Sequence, residues 1–204
     1  KIAALKPSFI SVTYGAGGGT SKNTVSIASH ISNDLGVTSL AHLTCVSSTK
    51  EEVHQVIRRL KEEKIENILA LRGDIPSDDS FPLPNQYRYA SELIEDIKKE
   101  GNFCIGAACY PEGHYESKSL DEDIQNLKYK IGAGVKVLIT QLFFDNQCFY
   151  EFVGKARMMG IKVPVSAGIM PIVNSRQIER TVALSGASLP HDFTKMISLY
   201  ENNP

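Results

Sequence analysis

A chain of 204 residues, 42% of them hydrophobic and 22% charged, can bury a substantial core and carries too much apolar surface to read as disordered. Its 22 basic and 23 acidic residues leave a formal charge of -1, which offers no broad attraction for nucleic acid or for an anionic membrane. No apolar run approaches the roughly 20 residues of a membrane span, and Cys45, Cys104, Cys109 and Cys148 show no C-x-x-C spacing, so one domain in a reducing, cytoplasmic setting with a small-molecule partner is expected.

The chain opens on KIAALKP, which reads as the end of a helix whose strand precedes it; Lys1 is no initiator Met, so a fragment is expected. A strand follows at about 8–14, ending in SVTYG, then a glycine-rich stretch at 14–20 that has neither the lysine of a P-loop nor the G-x-G-x-x-G spacing. Helical periodicity covers 21–35, a strand 40–46 ending in AHLTC, and a helix 50–64, where Thr49 and Glu52 fit a capping box and Val53, Val56, Ile57 and Leu60 form one apolar stripe. The next strand, 67–73, ends in LALRGD, and the segment Ile75 to Gln86 carries three prolines and reads as a surface loop. Helix 87–100 leads to strand 103–109 with AACYPEGH at its end. Ser119 and Glu122 suggest a second capping box before helix 120–132. Strand 136–143 (LITQLFFD), helix 146–159, strand 163–169 and helix 174–185 complete about six βα units.

Two parallel architectures hold such units, a doubly wound sheet and a (β/α)₈ TIM barrel. Ser11 with Thr13, His42 with Thr44, and Ala70 with Arg72 and Asp74 share strand faces, and polar residues turned inward near the strand ends favour the barrel. Such barrels run to about 250 residues, so an incomplete barrel in a single domain, 1–204, is expected.

Groups at the C-terminal ends of parallel strands converge on one rim. LRGD places a cation, a glycine and an anion there, either as a ligand site or as a structural ion pair between Arg72 and Asp74. His42 lies among apolar neighbours and reads as a hydrogen-bonded core residue or as a ligand contact. Tyr110, Glu112 and His114 form a second rim cluster, stiffened by Pro111, or else an ordinary polar loop. Asp123, Asn126 and Lys130 recur on one helical stripe, suited to a nucleotide's ribose and phosphates or simply to water. Gln141, an amide within an apolar strand, needs a hydrogen-bonding partner from a ligand or a network. No two histidines have the i, i+4 spacing of a helical zinc motif, so no metal is expected.

Taken in order, SVTYGA, AHLTC, ALRGD, YASEL, YPEGH, DEDIQNLKYKIGAG, ITQLFFD and GIMPI resemble the methylenetetrahydrofolate reductase family over almost the whole chain. The resemblance implies a (β/α)₈ barrel with FAD across the C-terminal strand ends and a place in one-carbon metabolism and methionine biosynthesis. It carries FAD contacts to Thr13, Tyr14, Ala16, His42, Arg72, Gly73, Asp74, Tyr89, Ala90, Tyr110, His114, Asp123, Asn126 and Lys130. Folate and NADH or NADPH are then expected to take turns on one flavin face, touching Gln141 and Gln177, with Asp74 tuning the flavin's reactivity. The implied reaction is reduction of 5,10-methylenetetrahydrofolate to 5-methyltetrahydrofolate by ping-pong hydride transfer, in a homo-oligomer or a hetero-complex.

Two departures stand beside the resemblance. The family's general acid is a glutamate on the first strand, after which this chain is expected to begin, so no residue here is assigned that role, and Thr181 stands where some bacterial members have a substrate-stacking aromatic. The same features suit an alternative, a catalytically silent flavin- or folate-binding subunit acting through a partner.

Overall fold

A computed structural model describes residues 1–14, 21–46, 48–75, 81–82, 84–172, 177–178, 181–182 and 185–200. Six strands, β1 (Ile10–Val12), β2 (Ser39–Thr44), β3 (Asn67–Leu71), β4 (Cys104–Cys109), β5 (Val135–Thr140) and β6 (Val165–Ser166), form one sheet in chain order. The pairs β1–β2, β2–β3, β3–β4 and β5–β6 are parallel. Helices α1 (Ser21–Ser29), α2 (Lys50–Glu62), α3 (Ala90–Glu100), α4 (Leu120–Ala133) and α5 (Asn146–Met158) alternate with the strands. A doubly wound sheet reverses its strand order at a switch point. Consecutive order with alternating helices is the pattern of an incomplete α/β barrel.

The chain divides into two compact units, Lys1–Ala107 with Tyr129–Lys136, and Ala108–Lys128 with Val137–Pro204. In the first, the predicted stripe of α2 is buried through Val53, Val56, Ile57 and Leu60, and α3 buries Leu93, Ile94 and Ile97. Leu43 of β2 and Ile68 of β3 are buried in the same unit, and removal of such apolar side chains from water is the main force holding helices on strands. In the second unit the core includes Ile124 and Leu127 of α4, Leu138 of β5, and Phe152 and Ala156 of α5.

Helix starts follow local chemistry. The Thr49 hydroxyl accepts the Glu52 N–H at 3.2 Å while the Glu52 carboxylate accepts the Thr49 N–H at 2.7 Å, a complete capping box. At α4 the box is displaced: Ser119 accepts the Glu122 N–H, but the Glu122 carboxylate accepts from Lys118 rather than from Ser119. Asp145 caps α5 through the Gln147 N–H.

Several boundaries differ from expectation. The predicted helix 21–35 ends as α1 at Ser29 and continues as a π-helical turn over His30–Asp34. Helix α3 begins at Ala90 rather than 87, because Tyr87 is drawn into the core and Tyr89 is extended at the N-cap. Strand β1 is shorter than 8–14. The predicted strands 136–143 and 163–169 shrink to β5 and β6 because the Gly168 N–H turns to the Thr140 hydroxyl, at 2.9 Å, instead of a ladder carbonyl. Of the predicted helix 174–185, residues 177–178, 181–182 and 185 are helical. A further helix, His191–Tyr200, was not anticipated; its first turn is closed by the Thr194 N–H and hydroxyl on the Pro190 carbonyl.

Leu60→Ala is expected to cost about 2–5 kcal/mol through the cavity it leaves, while the neighbouring Arg59→Ala on the exposed face of α2 should stay within about 0.5 kcal/mol. Urea unfolding of the two variants checks both values, and a similar cost for each would contradict the buried stripe.

Candidate active site

In the first unit the ends of β2 and β3 are laced together. The Arg72 carbonyl accepts the N–H groups of Cys45 and Val46 at 3.1 and 3.0 Å, so the chain leaves both strands in a fixed relation. Gly73 follows at φ +85°, where a Cβ would lie 3.2 Å from the Val46 Cβ and 3.3 Å from the Thr44 Cβ. Only glycine combines that left-handed geometry with so close an approach. Asp74, next along, is exposed.

Around this lacing stand several of the predicted contacts. His42 is half-buried, and burial lowers its pKa, favouring a neutral imidazole. The Cys45 thiol donates to the Leu71 carbonyl and is pushed up to about 12 by burial, with Glu92 adding to the rise and Arg72 and Lys130 opposing it. Tyr14 is buried with its hydroxyl 3.2 Å from the Ser48 hydroxyl, whereas Thr13 is exposed and its carbonyl accepts from Thr24. Tyr89 is half exposed beneath the Arg88 guanidinium, 5.4 Å from the ring centre, and Ala90 is buried. Ala16 lies outside the described residues, as do most of the glycine-rich stretch and part of the loop after β3.

A cluster that sequence reasoning missed supports the Tyr89 segment. The buried Tyr87 hydroxyl donates to Asp96 at 2.9 Å and lies 3.4 Å from His54, which is itself 2.8 Å from Glu100. The Lys50 ammonium sits 5.1 Å over the Tyr87 ring. Burial and then the Asp96 carboxylate push the Tyr87 phenol well above its ordinary range. At Asp96 burial acts upward, but hydrogen bonds from Lys99 and Tyr87 outweigh it and hold the carboxyl below its usual value. The only sequence signal was a tyrosine just before a helix.

In the second unit the loop after β4 is built around His114. Its N–H donates to Asp123 at 3.3 Å and its Nδ1 accepts the Glu116 N–H at 3.2 Å, which fixes the neutral ring as the Nε2–H tautomer. Tyr110 meets the imidazole edge-on at 4.7 Å and Tyr115 stacks on it at 4.5 Å. Asp123 is buried and also accepts from the Ser117 hydroxyl, so it orders this loop from α4, while Asn126 is exposed. Glu112 accepts the Ser188 N–H with both carboxylate oxygens.

Gln141 is the first residue beyond β5 rather than part of a strand. Its N–H donates to the Cys109 carbonyl at 2.7 Å, and its side-chain oxygen accepts the Leu142 N–H at 3.0 Å, so its own neighbour provides part of the partnering that its position demanded. Gln177 is half-buried and its amide donates to the Pro171 carbonyl at 3.3 Å. Gly168 packs so tightly on β5 that a Cβ would clash with the Thr140 carbonyl oxygen. GIMPI is therefore fastened to the strand that leads into Gln141.

A cleft of about 490 Å³ at α1 and α2 contains none of the predicted site residues, and its carboxylates are already engaged, Asp34 with His30 and Glu63 with Ser29. Among the described residues, no group of three or more His, Cys, Asp or Glu is placed to hold a metal ion, and no helix is long and apolar enough to cross a membrane.

The family model for methylenetetrahydrofolate reductase matches residues 1–204. The chain belongs to the methylenetetrahydrofolate reductase family. It is 36% identical over 204 residues to 5,10-methylenetetrahydrofolate reductase of Pectobacterium carotovorum subsp. carotovorum, covering 100% of this chain and 67% of the relative. It is 39% identical over 191 residues to methylenetetrahydrofolate reductase 1 of Schizosaccharomyces pombe, covering 92% of this chain and 32% of the relative. The chain thus spans about two thirds of the bacterial relative and a third of the yeast one. Among solved structures, a phosphonopyruvate hydrolase complex with oxalate and Mg²⁺ superposes with a TM-score of 0.60 at 13% identity, covering 97% of this chain and 75% of that one, a likeness of fold alone.

Two outcomes test the geometry in this member of the reductase family. Gly73→Ala should destabilise the chain by about 1–3 kcal/mol through strain, read from thermal or urea unfolding. His42 titrates lower when folded, so the unfolded chain binds the proton first: stability is full above the ordinary value of 6.5 and falls as pH drops from there toward the folded pKa. His42→Gln should flatten that part of the pH profile, and an unchanged profile would remove His42 from it.

Proposed function

We propose that this chain, acting as one barrel domain, forms the flavin- and folate-binding rim of an enzyme reducing 5,10-methylenetetrahydrofolate to 5-methyltetrahydrofolate with NADH or NADPH. The observation that carries the reading is the family match over residues 1–204, joined to rim motifs that fall at strand ends β1 to β5. The residues present suit FAD. Gly73 turns in a left-handed conformation at the strand end, Arg72 and Lys130 supply the cations a diphosphate needs, and burial keeps the His42 imidazole neutral.

In this reading the FAD contacts are those the resemblance implies, Thr13, Tyr14, Ala16, His42, Arg72, Gly73, Asp74, Tyr89, Ala90, Tyr110, His114, Asp123, Asn126 and Lys130. Bound there, FAD would supply the hydride relay from the nicotinamide to the folate methylene carbon, in two half-reactions of ping-pong order. Asp74 places a fixed negative charge near the reacting atoms, which favours a cationic iminium form of the folate and opposes excess negative charge beside it. Gln141 orients the substrate with an amide whose plane is set by the Leu142 N–H, and Gln177 does so from the following helical segment, braced by Pro171. A reducing cytoplasmic setting and assembly as a homo-oligomer or hetero-complex belong to the same proposal.

The purified protein should be yellow, with a flavin absorption spectrum that NADH or NADPH bleaches and methylenetetrahydrofolate restores. Asp74→Asn should retain the flavin and its bleaching while slowing the folate-dependent return by roughly 10²-fold. A colourless protein that takes up no added FAD, or an Asn variant equally fast in both halves, would overturn this assignment.

A further inference from the structure

Tyr87 has no ligand contact in the reading above, yet it is buried and its hydroxyl is held between two helices. The phenol donates to Asp96 of α3 at 2.9 Å and lies 3.4 Å from the His54 ring of α2. His54 is itself 2.8 Å from the Glu100 carboxylate, and Lys99 donates to Asp96 at 2.7 Å. The start of α2 holds the same stretch of chain: the Lys50 N–H donates to the Asn85 carbonyl at 2.7 Å, and the Lys50 ammonium stands 5.1 Å over the Tyr87 ring. Just beyond Tyr87 is Tyr89, extended at φ −129° and ψ 151°, which caps α3 without a side-chain hydrogen bond. Around it the Arg88 N–H donates to the Glu92 carboxylate at 2.9 Å, and the Tyr89 carbonyl accepts the Glu92 N–H at 3.1 Å. Those bonds join the turn to α3, whereas Asn85 and Tyr87 join it to α2.

We infer that Tyr87 is a positioning residue for Tyr89, its hydroxyl anchoring the chain that enters α3 between Asp96 and His54; the inference rests on the proposed reading in which Tyr89 contacts FAD. Burial of Leu93, Ile94 and Ile97 holds α3 itself, but those residues lie inside the helix and Tyr89 precedes it in extended backbone. The N–H groups of a first turn have no intrahelical partners, so the place of residue 89 depends on what holds the incoming chain. A buried phenol on a carboxylate is a strong, directional tie, because the acceptor is charged and little water competes for it. A ligand-binding side chain is only as well placed as the groups that support it, and small displacements are costly. Phenylalanine at residue 87 keeps the buried ring and removes the anchor alone.

The test compares the wild-type protein with Tyr87→Phe, Asp96→Ala, Asp96→Asn and Leu60→Ala. Two readouts apply: FAD affinity by flavin fluorescence, and hydrogen exchange of residues 88–93 before FAD is added. Tyr87→Phe removes the donor and Asp96→Ala the acceptor. Each should weaken FAD binding by about tenfold, as expected for loss of a hydrogen bond to a charged group, and speed exchange over 88–93. Asp96→Asn keeps an acceptor oxygen for the phenol and should retain most of the affinity. Leu60→Ala destabilises the same unit away from this cluster and should bind FAD as the wild type does, which separates positioning from stability. Unchanged FAD affinity in Tyr87→Phe, unchanged exchange over 88–93, or an equal loss of affinity in Leu60→Ala would each overturn the positioning role alone. A wild-type protein that takes up no FAD would overturn the functional reading, and this inference with it.

Discussion

The candidate site depends on how the ends of β2 and β3 are joined. Parallel strands spaced for hydrogen bonding leave their terminal carbonyls and N–H groups to be satisfied by whatever follows. Here the Arg72 carbonyl takes two N–H groups from the chain leaving β2, and Gly73 then turns in a left-handed conformation against Thr44 and Val46. That arrangement delivers Asp74 to an exposed position while His42, Cys45 and Arg72 stay partly or wholly withdrawn. A side chain at residue 73 would crowd Thr44 and Val46 in a backbone conformation that L residues rarely adopt, so the geometry of the rim and the packing beside it depend on the same glycine.

The second unit reaches a comparable result with side chains in place of a glycine turn. Asp123 and Glu116 hold His114 from two directions, Thr140 replaces a ladder carbonyl for Gly168, and Gln141 is fixed through Leu142. Each tie satisfies a backbone N–H that lies beyond the end of a strand. The shortness of β5 and β6 is therefore the condition under which polar side chains can occupy this rim. Buried amides and carboxylates are costly without partners, and the partners observed are mostly local.

Much of this was legible from residue order. The α2 stripe, the Thr49–Glu52 capping box and the alternation of apolar runs with helical periodicity are local patterns, and each appears where the period places it. Family motifs were legible because they are short runs at strand ends. Less legible were Tyr87, whose burial depends on Asp96 and His54 from two different helices, and Glu112, whose partner lies 76 residues away. Nothing in the spacing of those residues distinguishes them from ordinary surface polar groups. Asp123 likewise read as a ligand-facing or solvated position, and it is buried by the loop it organises.

The sequence by itself determined the succession of strands and helices, the apolar faces that bring them together and the membership of a reductase family, because all three are carried by neighbours a few residues apart. Tertiary structure decided where strands stop, which polar side chains are consumed in holding loops and which remain turned outward. Those outcomes depend on hydrogen-bond partners from distant segments, and a donor or acceptor cannot be known as satisfied until the chain has folded and brought its partner within about 3 Å.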